Sequence, residues 1–439
     1  MLTKKLEIIS RKAIKPSSPT PKHLQTFKLS FWDQRHSHVY GTVAFFYHSN
    51  ADLNDHDEIL STFYKRSHSL QKSLSETLVH YYPLAGRLKD DESTIACNDE
   101  GAHFVEAYTD CQLSTFLAKP EVHALKNLTA AFDTSNIPSG CMLVIQLTLF
   151  SCGGIAISVS TSHKLADASS VGTFVQSWAS ITTQEGGRLV SPEPMFVESS
   201  FSPTTDMLSM PTPFTTVEGS LVTKRIVFPA SKIAKLEGSI ISGQQYLTVN
   251  DLVLSLILKC AISSARSLSK SSSGPYVLFH AVNMRKRLPP PLPENTIGNI
   301  IWCITVEIEE DQQALNELAG NIRQSLNKLY STAGSSSSLK ENNKERPVVN
   351  IKGNPYFCSS ICGFPIYETD FGWGKPSWAT AIPFPERRNF IVLQKTKEGN
   401  GIEAWICLEK KEMAQFETDH ELLAFACTEL AVLPKRSRM

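Results

Sequence analysis

The stretch Cys152-Gly-Gly-Ile-Ala-Ile-Ser-Val-Ser-Thr-Ser-His163-Lys-Leu-Ala-Asp167 decides how the rest of this chain is read. Ile155-Ala-Ile-Ser-Val159 alternates large and small side chains, the period-2 pattern of a strand with two different faces. The strand runs into His163, so a rigid element presents an imidazole at its end. Asp167 follows four residues later and precedes Val171, Phe174, Val175 and Trp178, spaced as one face of a helix. An aspartate there suits the N-cap or first turn, where its charge complements the free amides. A neutral imidazole near pH 7 accepts a proton, which makes His163 a candidate general base. Alone, His-x-x-x-Asp recurs by chance, and a core or surface histidine reads the same way.

Outward from this segment, strands and helices come in mixed order. His38 to Tyr47, Met142 to Phe150, Tyr276 to Val282, Phe390 to Gln394 and Glu403 to Leu408 read as strands, most of them rich in aromatic and β-branched residues. Leu60, Phe63, Leu70, Leu74 and Leu78 have helical spacing with Pro83 beyond the end, and a further helix runs from Val249 through Leu252, Leu256 and Cys260. Between about 191 and 222 the chain is dense in Pro, Ser and Thr, which reads as a long connection between halves of similar size. The expected organisation is mixed α/β: a first domain over 1–195, a crossover over 196–222 and a second domain over 223–439. The Ser-rich tract Ser331 to Asn350 reads as a mobile surface loop, and Ser267 to Gly274 as a spacer between a helix and a strand.

Composition excludes several classes. The chain has 439 residues, 43 basic and 43 acidic side chains and 41% hydrophobic residues, so it carries no electrostatic footprint for nucleic acid or an anionic membrane. Its longest nearly apolar stretch, Leu252 to Ile262, is interrupted by Ser255, Lys259 and Cys260 and falls short of the roughly 18–20 residues of a membrane span. The ten cysteines are irregularly spaced; Cys358 and Cys362 have no second pair to make a zinc ribbon, and they read as buried thiols in a reducing compartment. His163 has no third metal ligand nearby, so no metal site is expected. No Gly-x-Ser-x-Gly elbow, Walker loop or Gly-x-Gly-x-x-Gly fingerprint occurs. Charges recur through the first 21 residues, so no secretory signal is read there, the Asn127 sequon is expected to be silent, and residence is expected to be cytoplasmic. The terminal Ser437-Arg438-Met439 is a conservative variant of a peroxisomal address, which makes peroxisomal import the alternative.

A second segment, Asp370-Phe371-Gly372-Trp373-Gly374, places two glycines around a tryptophan, as in a turn whose backbone angles only glycine permits. Asp370 reads as a partner for a buried arginine, and the segment as architectural. Together, His163-Lys-Leu-Ala-Asp167 and Asp370-Phe-Gly-Trp-Gly374 resemble the paired signatures of the plant BAHD acyltransferases, and their spacing of about 200 residues agrees. Ile14-Lys-Pro-Ser-Ser-Pro-Thr-Pro21, Leu74-Ser-Glu-Thr-Leu-Val-His-Tyr-Tyr-Pro-Leu-Ala-Gly-Arg87, and Asn283-Met-Arg-Lys-Arg-Leu-Pro-Pro-Pro291 with Gly298-Asn299 are also similar to that family. The opening and the Ser-His-Lys-Leu-Ala-Asp segment most resemble its alkaloid acetyltransferase branch.

The resemblance implies two chloramphenicol-acetyltransferase-like domains with a central channel, acyl-CoA entering one face and an acceptor alcohol the other. His163 would be the base, with Asp167 supporting it by pairing with Arg285. Asp370, Phe371, Gly372, Trp373 and Gly374 would hold the channel wall. Thr248, Ala281 and Asn283 match regions that face the pantetheine arm, and His36, His38 and Tyr40 fall in the acceptor region. His38 draws most interest, since it opens a strand expected to line the channel. The implied activity is O-acetylation of a bulky plant alkaloid or terpenoid hydroxyl by a monomer, with acetyl-CoA as co-substrate and no bound cofactor. This chain departs from the family at Ile361 and Gly363, where Trp and Arg are usual, and at Ala168, where Gly is common. The first two departures fall in a stretch near the acceptor side. They keep two alternatives open: intramolecular or lyase chemistry without CoA, and an impaired transferase that only binds metabolites.

Overall fold

The computed structural model describes residues 6–428 apart from 50–54, 185–191, 198, 200–219, 241–245, 269–274, 310–313, 334–352 and 384–386, together with residue 432. Two six-stranded sheets dominate. The first contains β1 (Leu6–Ile14), β2 (Tyr40–Tyr47), β3 (Ala102–Thr109), β4 (Leu143–Phe150) and β5 (Ile155–Ser162). The second contains β6 (Leu221–Phe228), β7 (Tyr276–Asn283), β8 (Ile301–Ile308) and β9 (Asn354–Ser360). β10 (Trp378–Ile382) returns to the first sheet, whereas β11 (Phe390–Lys395) and β12 (Ile402–Glu409) complete the second. The first sheet runs β1-β3-β4-β5-β2-β10 and the second β6-β12-β11-β9-β7-β8, both mixed in direction. This is the mixed α/β architecture that the strand and helix patterns predict.

Helices back each sheet. α1 (His56–His80) buries Ile59, Phe63, Leu70, Leu74 and Leu78 against the first sheet. α2 (Ala168–Thr183) adds Val171, Phe174, Val175 and Trp178, and the Trp178 indole donates to the Ser73 hydroxyl at 3.0 Å. α3 (Val249–Leu268) and α4 (Leu315–Ala333) cover the second sheet through Leu252, Leu256, Ile257, Leu318 and Ile322. Burying such stripes is what makes these amphipathic segments helical in place. Ser331 lies in the last turn of α4 rather than in a surface loop; residues 334–350 fall outside the described residues.

β5 keeps its alternation, but both of its faces are buried. Ile155, Ile157 and Val159 enter the helix-backed core, while Ala156 packs in a cluster with Trp378 and Trp405. The small residues are needed because another layer, not water, covers that face. Contacts also run across the expected division at 196–222. Met195–Phe196 pairs with Thr296–Ile297, β6 already begins at Leu221, and Ile361, Ile366 and Phe371 join the first core. β10 then pairs antiparallel with β2, seating Trp378 opposite Phe46 with ring centroids 5.1 Å apart. This pairing covers the backbone edge that β2 otherwise presents.

Candidate active site

The end of β5 carries the site. The His163 amide donates to the Val39 carbonyl at 2.8 Å, which ties the turn after β5 to the segment leading into β2. Asn299 holds the imidazole: its side-chain oxygen lies 3.2 Å from His163 Nδ1. The Asn299 Nδ2 group donates to Asp33 Oδ1 at 3.0 Å and to the His163 carbonyl at 2.6 Å. With both amide hydrogens so engaged, the Asn299 oxygen accepts, and His163 Nδ1 must carry the proton. The basic lone pair is therefore on Nε2, which has no partner among the described residues. Gly41 flanks this atom, since a Cβ there would sit 3.5 Å from His163 Nε2. Burial pushes the His163 pKa below its ordinary value, while Asn299 and the Asp167 charge pull it back up. At neutral pH the ring is an unprotonated acceptor.

Asp167 faces away from the imidazole. Its carboxylate accepts from Arg285 Nη1 at 2.7 Å and Nη2 at 2.9 Å, and both side chains are almost wholly buried. The same carboxylate caps α2 through the Ser170 amide at 2.9 Å and accepts from the Ile300 amide at 3.1 Å. Burial pushes its pKa up, but the Arg285 guanidinium and these donors outweigh burial and hold it below the usual carboxylate value. The expected Asp167–Arg285 pairing is present.

Asp370 differs from expectation. Its Oδ1 accepts from the amides of Gly372 and Gly374 at 2.8 and 2.9 Å, and among the described residues it has no arginine partner. Both glycines have φ near +100°, which explains why a side chain is excluded there. Phe371 is buried against Trp178 with centroids 4.9 Å apart, and Arg66 of α1 lies over the Trp373 ring. The turn clamps α1 and α2.

Thr248, Ala281 and Asn283 come together along one cavity of about 660 Å³, shared with Arg285, Lys286 and Arg287. Thr248 caps α3: its amide and hydroxyl both meet the Asp251 carboxylate at 2.7 Å, and Arg323 pairs with that carboxylate. Gly363 lines this cavity as well, and a Cβ there would meet open space, whereas Ile361 is buried in the first core. Gly363, one of the two departures, thus lines the cavity of Thr248 and Asn283.

His38 and Tyr40 line a second cavity of about 470 Å³ with Thr42, Phe132 and Ile137. His38 Nδ1 is 2.7 Å from the Ser162 hydroxyl, adjacent to His163 in the chain. His36 takes the position next to the imidazole: the two rings stack with centroids 5.7 Å apart. Its Nδ1–H meets the Trp32 carbonyl at 3.0 Å, and burial together with the neighbouring His163 lowers its pKa to about 4. His163 itself lines neither cavity, but its chain neighbours reach both. Ser162 leads to the cavity of His38, and Asp167 leads through Arg285 to the cavity of Asn283. Asp33, Gly41 and Asn299 escaped assignment from sequence. Of the three only Asn299 carried a signal, as part of the Gly298-Asn299 segment, because the Asp33–Asn299 contact joins positions 266 apart.

The family model described as Transferase family matches residues 4–423. The chain belongs to this family, the BAHD acyltransferases. Acyl transfer is accordingly its chemistry. Akuammiline synthase 1 of Alstonia scholaris is 38% identical over 430 residues, covering 96% of this chain and 98% of that protein. The acyltransferase Pun1 of Capsicum frutescens is 35% identical, with 96% and 98% covered. The crystal structure of vinorine synthase superposes with a TM-score of 0.75 at 30% identity, covering 97% of this chain and 99% of the other. The fold is also that of F. graminearum TRI101 complexed with coenzyme A and deoxynivalenol, at TM-score 0.68 and 14% identity, with 91% and 99% covered. Among the described residues no helix is long and apolar enough to cross a membrane, and no cluster of metal-binding side chains occurs. Ser437-Arg438-Met439 lies outside the described residues.

Proposed function

We propose that this BAHD acyltransferase transfers an acetyl group from acetyl-CoA to a hydroxyl on a bulky plant specialised metabolite, an alkaloid or terpenoid. The observation that carries the reading is an imidazole with Nδ1–H held by Asn299 and an unpartnered Nε2, linked by its neighbours to two cavities. Relatives named as salutaridinol 7-O-acetyltransferase and limonoid 7-O-acetyltransferase support the substrate class. The larger cavity, with Thr248, Ala281 and Asn283 inside and Lys286 and Arg287 on its wall, suits a pantetheine arm leading to phosphates. The smaller one, with His38 and Tyr40 beside Phe132 and Ile137, suits an apolar acceptor with a few polar groups.

In this mechanism His163 Nε2 removes the proton of the acceptor hydroxyl as the oxygen attacks the thioester carbonyl. The tetrahedral oxyanion collapses, the C–S bond breaks, and the imidazolium returns its proton to the departing CoA thiolate. No covalent enzyme intermediate is needed. Proton removal contributes roughly 10²–10⁴-fold. Holding two substrates against one imidazole supplies the orientation. His36, neutral beside the ring, adds no positive charge to oppose the imidazolium.

The test is free-thiol release from a panel of acyl-CoAs with a pooled plant-metabolite extract, parent against His163→Ala, with mass spectrometry of the products. Acceptor-dependent release that is lost in the variant, with a product heavier by one acetyl group, is the expected result. Product formation without CoA would replace this reading by intramolecular chemistry. Folded protein that binds metabolites but releases no thiol from any acyl-CoA would make it a binding protein.

A further inference from the structure

We propose that Asp33 is a positioning residue for His163, acting through Asn299 to set the imidazole's tautomer and to stabilise its protonated form. The inference rests on the acyl-transfer reading for its catalytic consequence, but its structural basis is independent. Asp33 is 1% exposed. Its Oδ1 receives both the backbone amide of Asn299 at 2.7 Å and the side-chain Nδ2 at 3.0 Å. Two donors from one residue to one carboxylate oxygen leave the Asn299 amide a single orientation, with its oxygen toward His163 Nδ1. An amide donating to an anion is also a stronger acceptor at its own oxygen, so the charge on Asp33 is relayed to the ring. When Nε2 takes a proton, this carboxylate is the anion hydrogen-bonded in series with Nδ1–H through Asn299, whereas Asp167 acts on the ring by charge alone and is paired with Arg285.

The other Asp33 oxygen is held by Ser30, whose hydroxyl donates to Oδ2 at 2.5 Å. A helix cap explains the Ser30 contacts but not the two donors from Asn299. The same turn reaches His163 by two further routes: His36 stacks on its ring, and the Gln34 carbonyl accepts from Lys164 at 3.3 Å. Burial raises Asp33 to about 6, against the donors from Ser30 and Asn299 that lower it. The ionisable groups around it are Arg35 and His36 just after the short helix Phe31–Gln34 that carries it, His163 and Lys164 on the turn after β5, and the Asp167–Arg285 pair behind Ile300. His36 titrates near 4 and stays neutral across the window of interest. The ionised form of Asp33 is the supporting one, so support is full well above pH 6 and fades as pH falls through it.

The experiment uses the full chain with ring-¹⁵N-histidine, the His163 signal being assigned by its loss in His163→Gln. At pH 7.5 the parent is expected to show the Nδ1–H tautomer. Asp33→Asn is expected to populate the Nε2–H form and to lower the proton affinity of His163 roughly 10-fold. Thiol release from acetyl-CoA, with the pooled plant-metabolite extract as the acceptor, is expected to fall about 10- to 100-fold in Asp33→Asn, the equivalent of one charge-assisted hydrogen bond. Its acid limb should move to lower pH, because the group titrating near 6 is gone. Ser30→Ala removes a donor that lowers the Asp33 pKa, so its acid limb should move to higher pH. A residue that only caps the helix would lower the melting temperature and move neither limb. An Nε2–H tautomer in the parent, or an Asp33→Asn protein that folds with His163's tautomer and proton affinity unchanged, overturns the proposal. Absence of thiol release with the expected tautomer behaviour would sink the acetyl-CoA reading and leave the positioning role standing.

Discussion

The chemistry of His163 depends on which nitrogen carries the proton, and Asn299 decides this through two donated hydrogen bonds and one accepted. If Nε2 is the base, His163→Ala lowers kcat by roughly 10²–10⁴-fold. Its melting temperature should stay near the parent's, since removing this partly exposed ring leaves no buried charge. Asp167 behaves in the opposite way. Asp167→Asn leaves Arg285 buried without its counter-ion, which costs about 3–5 kcal/mol. The loss should appear as a lower denaturant midpoint. The pH dependence has a definite sign: the folded Asp167 pKa lies below its unfolded value. Its contribution is complete above the unfolded carboxylate range and is lost as pH falls through the folded pKa. Guanidinium unfolding of the parent at a series of pH values should therefore show stability falling below about pH 4, with a shallower fall in Asp167→Asn.

Among the elements, the turn Asp370 to Gly374 acts as a clamp on α1 and α2 and does not contact His163 in any described interaction. Phe371 enters the helix-backed core while Asp370 ties down the two glycine amides. Gly374→Ala forces a side chain into the left-handed region, at roughly 1–2 kcal/mol. Asp370→Ala removes two charge-assisted bonds from a partly exposed site and should cost a similar amount. Both variants should melt earlier and retain turnover per folded molecule. An Asp370→Ala protein that melts like the parent yet has no activity would show that the turn participates in the reaction. The helical pattern of α2 was legible because Val171, Phe174, Val175 and Trp178 repeat its period directly. β5 was legible as a strand, but not as one covered on both faces, since alternation of size does not report what lies beyond.

In the whole molecule, β10 joins the two sheets. Its backbone pairs with β2, while its side chains and backbone groups bond to the second sheet. Gln394 accepts from the Ala381 amide at 3.0 Å and donates to the Ala379 carbonyl at 3.1 Å, and Trp405 donates to Thr380 at 2.9 Å. Glu403 accepts from Trp378 at 3.2 Å while pairing with buried Arg225 at 2.8 Å. Glu403→Gln should therefore destabilise the junction by about 3–5 kcal/mol, because Arg225 loses its counter-ion. Calorimetry can separate two outcomes. A single transition at lower temperature is expected if both sheets unfold together. Two resolved transitions in the parent would mean that β10 does not couple them.

Local pattern was enough to determine the mixed α/β class, a helix through Leu60 to Leu78 and another through Val171 to Trp178, the strand leading to His163, and the glycine turn at 370–374. Each depends on the period of neighbouring side chains or on a backbone angle that one residue type permits. The family likeness added the Asp167–Arg285 pair. The tertiary structure alone decided that β10 crosses to the first sheet, that Gly363 lines the cavity of Asn283, and that Asp33 reaches His163 through Asn299. Such contacts join residues with no shared period, 266 positions apart in the case of Asp33 and Asn299. Only the closing of the chain brings them within hydrogen-bond range, where burial turns a modest interaction into one that fixes a proton.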